Sequence, residues 1–323
     1  MKCGLRGAIK RMMKCAMTAQ QQRQQCEQII GLINSKRSCS IWLFVESCTQ
    51  LVLGARSAYF VSLCARLSAR LGGPNYKKSG YVLNIDERAV IAANNNADLY
   101  EAVFLSHGLR YERLPFGFVA RDQPPPYYAH LTALSHKAQN DICRQFKDVV
   151  QRFSGRAVMK DSFCQMDAQS ERLEVLFDAS WIWFGKDKQR PSCTWKRVKS
   201  NSDLQLWQDA WKQSGFPTDV KMFNETFLNK EDIFIFGQKN SGVFEKGCIG
   251  NRSRNCIGLS NVFSISRSSR IYDQATAAVA SIDPRLPVVG YEASENLEAA
   301  CRNGFEVVGN LRVLVAQTDR AWS

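Results

Sequence analysis

Residues 286–315 read LPVVGYEASENLEAACRNGFEVVGNLRVLV. Pro287 to Tyr291 is a short apolar run centred on Val288 and Val289, the pattern of a buried strand. Ser294 is placed to cap a helix that runs through Cys301, and Phe305 to Val315 reads as a last strand or hairpin arm. Upstream of this stretch the spacing predicts a helix over Tyr272 to Ser281 and three extended runs: Ile233 to Phe236, Gly242 to Asn251 and Cys256 to Ser264. Before those come a short strand at Trp195 to Val198, a helix capped by Ser202 and carrying Leu204, Leu206, Trp207 and Trp211, and a short helix at Glu225 to Asn229. The expected order is strand, helix, helix, three strands, helix, strand, helix, strand. An α/β chain with a mixed sheet is the fold class this order implies.

Further back, Asn94 to His107 reads as an amphipathic helix, with Asn94, Asn95 and Asn96 as its cap and Gly108 as its stop. Leu114 to Ala120 is strand-like, and the prolines of PPPYY at 124–128 make a rigid turn before a short strand at His130 to Leu134. Ser135 is placed to cap a helix ending near Phe153, and Ala157 to Phe163 and Leu173 to Phe184 read as strands. In the latter, Trp181 and Trp183 share one face and Ile182 and Phe184 the other, which predicts burial on both sides. Asp122, Asp161 and Asp178 have no partner spacing of a paired-carboxylate site and read as turn or surface residues.

The chain has 323 residues and a formal charge of +13. Residues 1–80 carry 13 basic residues against only Glu27 and Glu46, so +11 of that charge sits in the first quarter and the remainder is nearly neutral. A nucleic-acid-binding body carries its basic footprint on the folded domain, so the balance argues against one. Residues 1–80 read instead as a basic helical or disordered extension, with a Gln-rich run at 20–25, and any contact with nucleic acid or anionic membrane would be through it. The run Ile41 to Leu53 is short and contains Glu46 and Gln50, so no membrane span is expected, and no signal-like apolar stretch backs the basic N-terminus.

The 12 cysteines form no CxxC pair and none has a histidine at ligand spacing. No metal is expected, and reduced thiols in a cytoplasmic protein are the simplest reading. Neither HExxH nor GxSxG is present, which removes zinc-protease and serine-hydrolase readings by motif.

The element order, with Gly304 and Phe305 opening the final strand, resembles the GNAT acyltransferase superfamily over roughly 191–315. The segment 81–190 echoes helix, strand, connector, strand and is read as a second α/β domain, leaving two tandem GNAT-like units open; residues 316–323 are read as a tail outside the fold. The resemblance implies acyl transfer from acetyl-CoA or another acyl-CoA to a small-molecule or peptide amine by direct attack. It implies that Asn261, Val262 and Phe263 of a splayed strand offer backbone groups to the pantetheine. The turn before the next helix, with Arg267, Ser269 and Arg270, would take the pyrophosphate, although Arg270 and Tyr272 stand where the family has glycines. Where the family has its usual acid Tyr this sequence has Ala300, with Cys301 adjacent and Tyr291 at the end of the preceding strand, and Glu292 is the expected general base. The alternative implied by those departures is a GNAT-fold binding or scaffold protein that no longer holds CoA.

Overall fold

The structure, a computed structural model, describes residues 85–316 apart from 154–155, 189–191 and 267. The basic extension 1–80, Arg267 and positions 317–323 therefore lie outside the described residues.

Helix α1 (Glu87–Ser106) opens the fold, and Asp86 caps it by accepting from the Arg88 N–H. The helix starts seven residues before the expected cap at Asn94. The three asparagines instead lie inside it because each amide has a specific partner: Asn94 donates to the Val90 carbonyl, Asn95 exchanges bonds with Asn251, and Asn96 accepts from Lys160. Next come the hairpin β1 (Tyr111–Leu114) and β2 (Gly117–Ala120), then β3 (Leu131–Ala133), α2 (Gln139–Arg152), β4 (Val158–Asp161) and β5 (Leu173–Phe184). Ser135 does not cap α2; its Oγ accepts from the Lys137 N–H within the preceding turn, and α2 starts after Ala138.

The second half has the expected order: β6 (Lys196–Arg197), α3 (Asn201–Gln213), α4 (Glu225–Leu228), β7 (Ile233–Asn240), β8 (Val243–Arg252), β9 (Ile257–Ser264), α5 (Ile271–Ala280), β10 (Val288–Glu292), α6 (Ser294–Arg302) and β11 (Glu306–Ala316). Ser200 rather than Ser202 caps α3, accepting from the Asp203 N–H. Ser294 is the first residue of α6 and not its cap, which is Ala293 without a side-chain bond.

The eleven strands of the described residues form one sheet in the order β1-β2-β3-β4-β11-β5-β10-β9-β8-β7-β6. Leaving out β6, that order is a palindrome: β1 to β5 of the first half correspond to β7 to β11 of the second. Pair by pair the hand agrees. β1·β2, β2·β3 and β4·β11 are antiparallel, as are β7·β8, β8·β9 and β10·β5, while β3·β4 and β9·β10 are parallel. The two halves are thus related by a pseudo-twofold axis between the central strands β5 and β11, and each half inserts its last strand into the other. The fold is one α/β unit laid down twice in one continuous sheet.

Residues of β4 and β10 superpose in this scheme by their register: Met159 corresponds to Val288 and Lys160 to Val289. Met159 packs under α2 and Val288 under α5 and α6, while the opposite face of the sheet is covered by α1, α3 and α4. Trp181 and Trp183 point toward the α1 layer, and Ile182 and Phe184 toward α5 and α6, so this strand is buried from both sides. Asp161 is not a surface residue. It is buried, paired with Arg312 of β11, and accepts from the N–H groups of Gln165 and Met166, which folds the connector 162–172 back against the sheet.

Candidate functional site

Strands β9 and β10 run parallel but pair at two positions only, Val288 with Ile257 and Val289 with Gly258. Just beyond, Gly290 approaches so closely that a Cβ there would lie 2.6 Å from the Leu259 carbonyl oxygen. Only glycine fits at this pinch. Past it the two strands part, because β9 carries a bulge: between the Ile249–Ser260 and Gly247–Phe263 pairs, Asn261 and Val262 stand opposite the single residue Cys248. Asn261 takes a positive φ of 51° there. The bulge bends β9 away from β10 and leaves the Leu259–Ser264 backbone without a strand partner on that side.

The expected site residues are distributed around this opening. Asn261 and Val262 are half-buried on the diverging stretch, and the Phe263 ring turns inward against Trp207, with ring centroids 5.1 Å apart. Ser269 lies in the turn before α5, where its carbonyl accepts from the Asn303 amide. Arg270 is the N-cap residue of α5, makes no capping bond, and pairs through its exposed guanidinium with Asp273 at 2.9 Å. Arg267 lies outside the described residues.

Glu292 and Tyr291 end β10 on opposite faces. The Glu292 carboxyl turns toward the first turn of α5, where it is hydrogen-bonded to Tyr272 and also to Asn296. Burial raises its pKa to about 7, against the lowering effect of those two bonds. Burial and the neighbouring Glu292 together push the Tyr272 phenol well up, so it stays protonated and donates. A carboxyl poised at about 7 exchanges a proton near neutrality, which is what a general base requires.

Tyr291 turns to the α1 face, where sequence reasoning missed most of its surroundings. Lys160, only 1% exposed, reaches from β4 of the first half and donates to Asn96 Oδ1 at 2.7 Å. Its Nζ lies 4.3 Å from the centroid of the Tyr291 ring and 4.7 Å from that of Tyr100. Burial lowers the Lys160 pKa, opposed by its contact with Tyr291. At Tyr291 the lysine pulls the phenol down while burial and Tyr100 push it up, with a net rise. Tyr100 is raised by burial to about 12, and Tyr128 beside it is raised by burial as well. A lysine within the apolar alternation of AVMKDSF was the one sequence signal of this cluster, since a charge inside a buried strand demands partners.

An open cleft of about 580 Å³ lies at the other end of β9, lined by Asp98, Glu101, Asp232 and Arg252 among others. It is separate from the strand divergence. Among the described residues no group of three or more His, Cys, Asp or Glu side chains is placed to hold a metal ion, and no helix is long and apolar enough to cross a membrane.

No protein-family model matches the sequence, and no curated protein sequence does. Solved structures similar to the chain include a conserved protein of unknown function from Staphylococcus epidermidis, with a TM-score of 0.48 and 10% identity over 64% of this chain and 94% of that one. A GCN5-related N-acetyltransferase from Kribbella flavida has a TM-score of 0.47 and 12% identity over 70% and 95%. The N-myristoyltransferase of Saccharomyces cerevisiae, solved with bound myristoyl-CoA, has a TM-score of 0.41 and 7% identity over 62% and 66%.

Proposed function

We propose that the chain is an acyl-CoA-dependent N-acyltransferase acting on an amine by direct transfer. The observation that carries this reading is the two-position pairing of β9 and β10, followed by a bulge at Asn261 that parts them beside a carboxyl with a pKa near 7. The donor set fits an acyl-CoA in two respects. The diverging β9 backbone offers unpaired peptide groups along an extended track, and α5 begins without a side-chain cap, so its first N–H groups and positive end face the adjoining turn. Asn261, Val262 and Phe263 would hold the pantetheine arm, and Ser269 and Arg270, with Arg267, the diphosphate.

When bound, an acyl-CoA supplies an electrophilic thioester carbonyl. Glu292 then takes a proton from the attacking amine nitrogen at its carboxylate oxygen. Tyr291 holds a phenolic proton at Oη for the leaving sulfur, and Lys160 favours the phenolate that remains. The products are an amide and a free thiol. Calorimetry with acetyl-CoA and longer acyl-CoAs tests the reading: saturable heat is expected, and no heat with no thermal shift at millimolar ligand overturns it.

The second reading, a GNAT-fold binding module without CoA, is favoured by one observation. Tyr272 stands where the family has a glycine, and its buried side chain is spent on Glu292. Retained binding of the diphosphate end of CoA by Tyr272→Phe and by the unaltered chain removes it.

A further inference from the structure

Strand β10 covers β5 from Ser180 to Phe184 only, whereas β11 pairs along the other edge of β5 as far as Leu173. On the β10 side, Glu174–Ala179 therefore has no strand partner among the described residues. A strand at the centre of an eleven-stranded sheet is normally covered throughout. Here Val175, Leu176 and Phe177 are 42%, 40% and 44% exposed, and the exposed Asp178 comes directly after them. The acidic residues Glu174 and Asp178 bracket this apolar triplet.

We propose that the acceptor is a polypeptide with basic side chains and a free α-amine, docked as an added strand on this open edge of β5. The inference rests on reading the end of β10 as the transfer site. Unpaired backbone N–H and C=O groups are a template for an extended chain, and apolar side chains flanking them give such a strand its hold. The two carboxylates select lysine or arginine on the incoming strand, since opposite charges across a strand pair stabilise it.

Register gives the polarity. The free edge begins one residue beyond the Ser180–Glu292 pair. A strand that continues the line of β10 runs antiparallel to β5, so its N-terminus points back toward the end of β10, where the extended Ala293 leads off into α6. Phe177 lies three residues further along, about 10 Å away at ~3.3 Å per residue. The α-amine of the docked strand is thus at the end nearer Glu292, while its later residues lie against Phe177, Leu176 and Val175.

The test uses the full chain without any acyl-CoA, and as probe an octapeptide of alternating valine and lysine with a free α-amine and a C-terminal dye, read by fluorescence anisotropy. Binding at least tenfold tighter than that of the same peptide with glutamate for lysine is expected. Phe177→Ser weakens it about tenfold, and the double variant Glu174→Lys, Asp178→Lys reverses the charge preference, with circular dichroism unchanged in both. Acetylating the α-amine weakens binding to the unaltered chain, and Glu292→Gln removes that difference. Equal binding of the two peptides, indifference to these variants, or no binding at millimolar probe overturns the proposal. So does a dimer that Phe177→Lys dissociates, because the edge would then be a self-contact. Because no acyl-CoA is present, peptide binding and CoA binding fail independently of one another.

Discussion

The two halves of the sheet share their strand order and differ in how the chain continues beyond their parallel pairs. In the first half β3 has three residues, its helix α2 comes soon after, and beyond β4 the chain folds into the connector held by Asp161 and Arg312. In the second half β9 has eight residues with a bulge, and β10 ends in Tyr291 and Glu292 before α6. The same pairing of two positions is followed by the connector in the first half and by the bulge that parts the strands in the second, the open half. The duplicated frame thus supplies geometry, and the chemistry depends on a few residues where the strands part. The first half still contributes: its Lys160 lies against Tyr291 of the open one.

Cutting the chain between β5 and β6 tests this relation between the halves most severely. Each fragment then lacks the strand that the other inserts, so neither shows a cooperative unfolding transition in calorimetry, and mixing them restores it. A fragment that melts cooperatively alone would mean that the halves are independent. Next in size is Asp161→Ala, which leaves the Arg312 guanidinium, 21% exposed, against the sheet without its carboxylate. A loss of about 3 kcal/mol in urea unfolding is expected, because an ion pair broken on one side leaves a charge uncompensated. Glu292→Gln in the open half costs far less stability and abolishes transfer.

The pH dependence separates the halves further. The folded pKa of Glu292, about 7, lies above the ordinary carboxylate value, so the native state binds the extra proton and stability falls as pH rises from about 4.5 through 7. Glu292→Gln removes that decline. In the first half His130 is pushed by burial down to about 4, so the native state refuses a proton and stability falls as pH drops from about 6.5 toward 4. His130→Phe flattens that limb. The smallest effect at neutral pH belongs to Lys160→Met, which changes stability by less than about 2 kcal/mol, because removing a buried charge offsets the acceptor left unpaired on Asn96. Its signature is a lost rise of stability toward alkaline pH, where the buried amine of the unaltered chain matches its unfolded state.

Periodicity made most elements legible, including β5 to its last residue and the full order from β6 to β11. Caps were not, since Ser135, Ser202 and Asn94 have the right chemistry and only the neighbouring N–H groups decide which serine or aspartate is used. The insertion of β11 between β4 and β5 was invisible because strand partners far apart in sequence leave no local mark. The place of Tyr291 and Glu292 at the end of β10 was readable from the apolar run before them. Lys160, Asn96 and Tyr100 were not, because they come from the other half and meet Tyr291 only through the shared sheet.

The insertion of β11 also sets the order in which the molecule is finished during synthesis. Its position between β4 and β5 is needed before the first half has a complete sheet, yet it emerges after every other described strand. The nascent chain therefore waits with two unsealed strand edges while more than a hundred residues are added, and β11 joins the halves in a single late closure. Contacts of such long sequence separation form slowly. A chaperone that shields β4 and β5 until translation ends would raise the yield of this protein more than any substitution in either half.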